Sequence, residues 1–380
     1  MKDIRRPFNP FVLTGYVSPE YFCDREKEAQ KMASALQNGR NITLISPRRM
    51  GKTGLIRHLF HQVEASGIAK CYYVDLYQTD SLAMLVKKLG ETVLGTLDTA
   101  EEKLIKRISV FFKSLRPTFS FDTVTGEPNF SVEVQPESAE HSLAEIFAYM
   151  EQSEQRCYVA FDEFQTVASY ADKQVEALLR AHIQHLTNVN FIYSGSQRHV
   201  LENMFVAASR PFYQSTQMLT LGPIDSTAYY AFASAHLQGH GQSIPQEVFE
   251  WLFTDLSAHT WYVQSLLNRL YETAHPILSQ PFVNETLEEI IEENEVTFQT
   301  FLRLISPLQA RVLKAIAQEG AVKEIQGKSF LSRYGLGAAS SVKTAVKALV
   351  EKELLLESEG VYEIYDRFFA RYLRQKTSGI

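Results

Sequence analysis

The stretch SPRRMGKTG, residues 46–54, decides how the rest of this 380-residue chain is interpreted. Its residues Gly51-Lys52-Thr53 match the end of the phosphate-binding pattern G-x-x-x-x-G-K-[ST]. The first glycine of that pattern is absent, because Ser46 occupies its position and Pro47 follows. The stretch therefore predicts a phosphate site only where a strand leads into it and a helix leads out of it.

The residues on both sides provide that context. Residues 41–45 (NITLI) are a short, β-branched apolar run that ends where the loop begins. After Thr53 apolar residues recur at helical spacing, at Leu55, Ile56, Leu59, Phe60 and Val63. A helix that begins here directs free N–H groups and its positive end at phosphate oxygens. We expect Lys52 to reach the β- and γ-phosphates and Thr53 to bind Mg²⁺; the alternative is a basic helix start without a ligand.

The first part of the chain alternates between strand-like and helical segments. The strand-like runs are residues 71–76, 158–161, 189–193 and 218–221, and helices are predicted near 81–115, 139–153 and 172–186. This alternation predicts an α/β fold with a parallel sheet covered on both faces. Period-two alternation on both sides of residues 125–128 also predicts an inserted β-hairpin at about 117–135.

The pattern changes after Pro223. Residues 224–298 predict helices only. Three further predicted helices and a hairpin, at residues 308–317, 329–334, 339–352 and 354–364, form the pattern of a winged helix-turn-helix. We therefore expect a P-loop α/β domain (1–223), a helical lid (224–298) and a winged helix domain (299–380).

Composition limits the class of protein. No apolar run approaches the roughly 18 residues of a membrane helix, and no apolar segment of a secretory signal follows the N-terminal basic residues. Cys23, Cys71 and Cys157 are far apart and odd in number, which is typical of a reducing cytosol and predicts a cytoplasmic protein. The net charge is −6, yet residues 300–380 carry 13 Lys and Arg against 8 Asp and Glu. This basic segment is either a solvated surface or a nucleic-acid contact.

Residues 158–163 (YVAFDE) end a predicted buried strand in two carboxylates. Two such groups at a sheet edge repel each other and are costly to desolvate, and a cation removes both problems. We expect Asp162 to hold the Mg²⁺ shell and Glu163 to polarise the attacking water; the alternative is a helix N-cap. Another strand ends in Ser194-Gly195-Ser196, where either serine suits contact with a γ-phosphate and a plain turn is the alternative.

Six stretches together resemble the archaeal-type ATPases, a branch of the AAA+/STAND P-loop NTPases. They are FCDREKEAQKM (22–32), LISPRRMGKTGLI (44–56), YVDLYQT (73–79), YVAFDEFQ (158–165), FIYSGSQ (191–197) and RPFYQS (210–215). The likeness covers nearly the whole chain, including the helical lid and the winged helix. The paired arginines of the loop and the Asp-Glu-Phe-Gln strand end are its most specific parts.

The resemblance implies further site residues. Asp24, Arg25 and Glu26 match an Arg-Glu motif near the adenine; the alternative is a helix cap with surface ion pairs. The implied nucleotide-binding residues are Asp24, Arg25, Pro47, Arg48, Arg49, Met50, Gly51, Lys52, Thr53, Gly54 and Ser194, and the implied metal ligands are Thr53 and Asp162.

Two further positions carry alternatives. Arg210 matches a basic residue that acts as an arginine finger, in cis or toward a neighbour, and a structural salt bridge is the alternative. With Lys52 and Glu163 it completes the predicted catalytic set. His259 lies where relatives carry a glycine-rich nucleotide-sensing turn, but this chain lacks those glycines and the proline, so a packed lid histidine is expected.

The third predicted helix of the winged helix directs Ser341, Lys343, Thr344 and Lys347 outward. Lysines and hydroxyls suit phosphate contacts, and the helix lacks Arg, Asn and Gln for reading bases. Arg367, Arg371, Arg374 and Lys376 are expected to extend this basic surface along a last helix. Duplex DNA is the predicted partner of Lys343, Thr344 and Lys347; a regulatory or protein-docking surface is the alternative.

The best interpretation is an ATP-binding, Mg²⁺-dependent ATPase that acts as a molecular switch, possible partners being DNA, a protein client or a second copy of the chain. Two other classes stay open. One is a DNA-binding protein in which ATP is structural, and the other is a small-molecule P-loop kinase, which the Asp-Glu strand end and the winged helix disfavour.

Overall fold

The computed structural model describes residues 7–95, 112–121 and 128–377. Its contacts divide the chain into two units. The first spans Thr14–Ile224, and the second combines Pro7–Leu13 with Asp225–Ile380. No helix among the described residues is long and apolar enough to cross a membrane.

The first unit is an α/β layer structure, as predicted. Its strands are β1 (Ile42–Ile45), β2 (Ala69–Asp75), β3 (Arg116–Phe121), β4 (Pro128–Glu133), β5 (Arg156–Asp162), β6 (Val189–Gly195) and β7 (Gln217–Thr220). Its helices are α1 (Glu26–Gln37), α2 (Lys52–Ala65), α3 (Leu82–Gly95), α4 (Ala139–Glu151), α5 (Val175–Ile183) and α6 (Arg198–Val206).

Five parallel strands form the sheet, in the order β2-β5-β6-β1-β7. Successive residues of β5 alternate between two cores, since Tyr158 and Ala160 pack on one side and Val159 and Phe161 on the other. The central strands β1, β5 and β6 are almost wholly buried, because both faces of the sheet are covered there. This packing aligns the carboxyl ends of β1, β5 and β6 along one edge.

The predicted hairpin is present as the antiparallel pair β3–β4, in which Arg116 is opposite Glu133. The predicted turn at residues 125–127 lies outside the described residues, as does much of the helix predicted near 81–115. The helix predicted from residue 172 begins instead at Val175. The side chain of Asp172 accepts a hydrogen bond from the Gln174 N–H at 2.8 Å, and this local turn delays the helix start.

The second unit contains the predicted winged helix. Its helices are α7 (Ser226–Gly239), α8 (Gln246–Asp255), α9 (Thr260–Glu272), α10 (Gln280–Glu293), α11 (Glu295–Arg303), α12 (Pro307–Glu319), α13 (Lys328–Arg333), α14 (Ala339–Glu351) and α15 (Arg367–Thr377). Strands β9 (Leu355–Ser358) and β10 (Val361–Ile364) form the wing, and β8 (Ala321–Val322) adds a third strand. The sequence did not indicate β8, because two residues show no period.

The segment Pro7–Leu13 packs on helices of this second unit. The Phe11 ring is buried against Phe232 and Tyr271, with ring centroids 6.1 and 5.9 Å apart. The Asn9 side chain donates a hydrogen bond to the Asn268 carbonyl oxygen, and the Asn268 side chain donates one to the Phe11 carbonyl oxygen, each at 2.8 Å. The three-domain division of the sequence therefore stays a prediction.

Candidate nucleotide-binding site

The opening stretch forms the loop between β1 and α2, so the strand-loop-helix context is confirmed. Arg49 and Gly51 have left-handed backbones, with φ of 63° and 94°. At Gly51 this conformation favours glycine, because other side chains are strained there. Gly54 faces the Phe22 ring, and an added Cβ would lie 3.0 Å from the ring atom Cε2. Both glycines thus have local backbone or packing reasons for their positions.

Lys52 is buried and turns back over its own loop. Its Nζ donates to the carbonyl oxygens of Ser46 at 3.0 Å and Pro47 at 3.1 Å. Burial lowers the pKa of the Lys52 ammonium, and the carboxylates of Glu163 and Asp162 oppose that shift. The ammonium is therefore held by neutral acceptors in the centre of the loop, where it can be redirected to a stronger acceptor.

Four donors surround the buried carboxylate of Asp162, at the end of β5. Thr53 Oγ1 donates to Oδ2 at 2.8 Å, and the Tyr73 hydroxyl donates to the same oxygen. Ser194 Oγ and the backbone N–H of Glu163 donate to Oδ1, the latter at 3.0 Å. Burial and the nearby Asp162 carboxylate raise the pKa of Tyr73, which keeps its hydroxyl a donor. These four hydrogen bonds hold the Asp162 carboxylate in one orientation.

Glu163 lies beside this group with a left-handed backbone, at φ 53°. Its Oε2 accepts hydrogen bonds from Gln165 Nε2 and, at 3.0 Å, from Ser196 Oγ. Arg48 Nε in turn donates to Ser196 Oγ at 3.4 Å, which joins the loop to Glu163 through one serine. An added Cβ at Gly195 would lie 1.9 Å from Gln165 Oε1, so any other residue here must displace the Gln165 side chain.

The structure therefore brings together the loop, Asp162, Glu163 and both candidate serines. It also separates the serines, because Ser194 contacts Asp162 whereas Ser196 contacts Glu163. Glu163 is the N-cap residue of a 3₁₀ helix (Phe164–Ser169), as in the alternative, but its side chain makes no capping hydrogen bond. Sequence reasoning missed Tyr73 and Gln165; their available signal was their place in the stretches 73–79 and 158–165.

Arg25 is 2% exposed and its guanidinium binds three backbone carbonyl oxygens. The partners are Gly222 at 2.7 Å, Pro223 at 3.4 Å and Met50 at 3.4 Å, and Glu28 pairs with it at 3.0 Å. An ion pair is present, as in the sequence alternative, but its arginine is buried and its acidic partner is the half-buried Glu28. Arg25 thus joins the phosphate loop to residues 222–223, just before the chain enters the second unit.

Asp24 and Arg49 are exposed, and Asp24 has a left-handed backbone with φ of 54°. Arg210 forms an ion pair with Glu176, whose side chain is 8% exposed. Burial raises the pKa of Glu176, and the Arg210 guanidinium opposes that shift. The salt-bridge alternative is therefore present in the structure, and the finger role of Arg210 stays a prediction.

Two predictions concern the second unit. His259 is buried, and its ring lies 4.8 Å from that of Tyr262, as a packed histidine requires. On α14 the residues Lys343, Thr344 and Lys347 are exposed, as predicted. Lys347 Nζ lies 3.8 Å from the carboxylate of Glu351 on the same face.

The predicted basic extension along α15 is wrong, because acidic residues neutralise it. Arg371 binds Asp255 at 2.5 Å and Glu288 at 3.0 Å, on α8 and α10. The remaining pairs are Arg374–Asp255 at 3.6 Å, Lys376–Glu295 at 3.1 Å and Arg367–Glu363 at 2.5 Å. These side chains attach α15 to its neighbours instead of forming a basic surface.

Solved structures share this fold. A Walker-type ATPase of Pyrococcus abyssi superposes with a TM-score of 0.64 at 19% identity, over 96% of this chain and 99% of that one. The ORC2 protein of Aeropyrum pernix in its ADPNP–ADP complexes gives 0.58 at 16% identity, over 98% of each chain. The ORC1 protein of the same organism, in complex with DNA, gives 0.51 at 14% identity, over 98% and 97%. At these identities the likeness concerns the fold alone.

Two families of known domains match the sequence of this chain. No curated protein matches the chain significantly. A family described as "ATPase domain predominantly from Archaea" matches residues 22–220, and a "probable winged helix domain" matches residues 296–375. The first match spans more than half of the chain and contains the whole strand-edge site. The chain therefore belongs to the family of ATPase domains found predominantly in Archaea, followed by a winged helix domain.

Proposed function

We propose that this protein is a Mg²⁺-dependent ATPase whose nucleotide state acts as a molecular switch. One observation carries the proposal: Thr53 Oγ1 lies 2.8 Å from Asp162 Oδ2, with Lys52 and Glu163 beside them. Four side-chain types that P-loop hydrolysis needs thus meet at the carboxyl edge of one sheet.

The residues present fit both ATP and the metal ion. Among the residues that the structure describes, Lys52 Nζ donates to carbonyl oxygens of the loop, and phosphate oxygens are stronger acceptors for an ammonium. Thr53 and Asp162 offer a hydroxyl and a carboxylate oxygen, the hard ligands that Mg²⁺ prefers. Bound Mg²⁺ would neutralise phosphate charge and polarise the γ-phosphoryl group.

The chain's own residues would then divide the work. Lys52 and the N–H groups at the start of α2 hold the phosphates, and Asp162 fixes the position of the Thr53 hydroxyl. Glu163 accepts the proton of the attacking water, and Ser196 and Gln165 hold its carboxylate in place. We expect this hydrolysis to be slow, as suits a switch more than a metabolic enzyme.

Phosphate release by the full-length wild type and by Glu163→Gln tests the proposal. We expect slow release by the wild type, a drop of at least tenfold in Glu163→Gln, and retained ATP binding in both. Lys52→Ala should lose ATP binding. Binding of ATP by the wild type without any turnover would contradict the hydrolysis and leave ATP a structural role.

The switch would act through the winged helix, and we propose duplex DNA as its partner. Exposed Lys343, Thr344 and Lys347 on α14 support phosphate contacts, and so does the ORC1 structure determined with DNA. The neutralised α15 limits the surface to α14 and its surroundings. We also propose a cytoplasmic location, which the three free, buried cysteines support.

Binding of a fluorescent duplex at several salt concentrations tests this partner. Lys343→Glu/Lys347→Glu should weaken binding and flatten its salt dependence, whereas Lys27→Glu/Lys31→Glu on α1 is the matched control. Unchanged binding in the α14 variant would contradict the placement. Absence of duplex binding by the wild type would favour the alternatives, a protein client or self-association.

A further inference from the structure

We propose that Tyr73 is a positioning residue for the Asp162 carboxylate and that it sets how strongly nucleotide binding depends on Mg²⁺. This inference rests on the proposed function. Tyr73 lies on β2 opposite Ala160 of β5, two residues before the register pair Asp75 and Asp162. Its hydroxyl donates to Asp162 Oδ2, the oxygen that also accepts from Thr53.

Hydrogen bonds occupy the lone pairs of the Asp162 carboxylate. A carboxylate offers about four acceptor sites, and four donors occupy them here. Thr53 is the donor whose oxygen also suits the metal ion, so its hydrogen bond is the one expected to change on loading. Tyr73 is then the donor that still restrains Oδ2 from the neighbouring strand.

Helix α2 supplies a second contact to the same ring. The Arg57 guanidinium lies over the Tyr73 ring, 3.9 Å from its centroid. Arg57 follows Thr53 by one turn of α2. The same helix therefore carries Thr53, the other donor to Asp162 Oδ2, and the cation over the Tyr73 ring. A cation over the ring also draws electron density from the hydroxyl and strengthens it as a donor. The ring is therefore fixed relative to the loop as well as to β5.

Tyr73→Phe removes the hydroxyl and keeps the ring beneath Arg57. The matched control is Tyr158→Phe, since Tyr158 lies on β5 and its buried hydroxyl has no hydrogen-bond partner among the described residues. The measurement is the affinity for a fluorescent ATP analogue in EDTA and across a MgCl₂ titration. Thermal unfolding of both variants shows whether they are folded.

We expect the half-saturating Mg²⁺ concentration to rise roughly five- to tenfold in Tyr73→Phe, the scale of a typical net contribution of one hydrogen bond. Affinity in EDTA should stay within about twofold of wild type, and Tyr158→Phe should behave as wild type. Arg57→Gln, an exposed change, should raise the Mg²⁺ requirement in the same direction by a smaller factor.

Two results would overturn the inference while leaving nucleotide binding intact. One is an unchanged Mg²⁺ requirement in both Tyr73→Phe and Arg57→Gln. The other is an equal loss of affinity with EDTA and with Mg²⁺, which a merely structural role of Tyr73 would produce. If the wild type bound no nucleotide in either condition, the proposed function itself would fail, and this inference with it.

Discussion

Arg25 and Gly222 are joined by a hydrogen bond of 2.7 Å between a buried guanidinium and a backbone carbonyl oxygen. The same guanidinium reaches the carbonyl oxygen of Met50 in the phosphate loop. The Arg25 side chain therefore connects the phosphate loop to residues 222–223. These residues lie just before Ile224, where the first unit ends. The predicted place of Arg25 near an adenine ring stays a prediction beside this observed connection.

Arg25→Met should destabilise the first unit by about 2–4 kcal/mol, because it leaves several buried carbonyl groups and Glu28 without their partner. Chemical denaturation measures this loss. Lys27→Met, an exposed change two residues away, should alter the unfolding free energy by less than about 0.5 kcal/mol. A similar small effect in Arg25→Met would show that the guanidinium contributes little.

The lowered pKa of Lys52 predicts a pH dependence of stability in the absence of nucleotide. Because the folded state binds this proton less tightly than the unfolded state, stability rises with pH between the lowered pKa and the ordinary lysine value of about 10.4. The unfolding free energy of wild type relative to Lys52→Met should therefore increase as the pH rises toward the ordinary lysine pKa of about 10.4. A constant difference would argue against desolvation of the ammonium, and Lys27→Met provides the control.

Arg210→Ala should lower the unfolding free energy by about 1–3 kcal/mol, since it leaves the carboxylate of Glu176 buried without its cation. Adding Glu176→Gln should restore part of that stability, because the buried charge is then gone. Phosphate release by the double variant separates the two alternatives for Arg210. Turnover near that of wild type indicates a structural ion pair, and a deep loss of turnover in a stable protein indicates an arginine finger.

Gly195→Ala should slow hydrolysis by roughly tenfold or more while ATP binding is largely retained. The new Cβ would displace Gln165 and would also lie 2.9 Å from Leu201 Cδ1, so Glu163 loses one of its two side-chain donors. Gly239→Ala is the matched control, because an added Cβ there meets nothing within 4 Å. Normal turnover in Gly195→Ala would contradict the role assigned to Gln165.

The sequence was sufficient for features whose cause is local. The loop at residues 46–54, the strand before it and the helix after it follow from neighbouring residues, and so do the acids that end β5. Parallel strands of one sheet place their carboxyl ends along the same sheet edge. The meeting of Asp162 and Ser194 with Thr53, which follows β1 and the loop, was therefore also predictable.

The rest depends on contacts between distant segments. Tyr73 reaches Asp162 only because β2 lies beside β5 in one particular register. Two of the three carbonyl partners of Arg25, Gly222 and Pro223, lie 197 and 198 residues further along the chain. The basic residues of α15 appeared solvated in sequence because their acidic partners, Asp255 and Glu288, belong to helices that precede the winged helix.

The segment around Phe11 has a consequence for the order of folding. Asn268, whose side chain binds the Phe11 carbonyl, is synthesised 257 residues later. At about 5–20 residues per second, Phe11 waits roughly 13–50 seconds on the ribosome before that partner exists. The first unit has time to fold in this interval, before the packing partners of the segment Pro7–Leu13 have been synthesised. Completion of the helical unit is thus a late, long-range event.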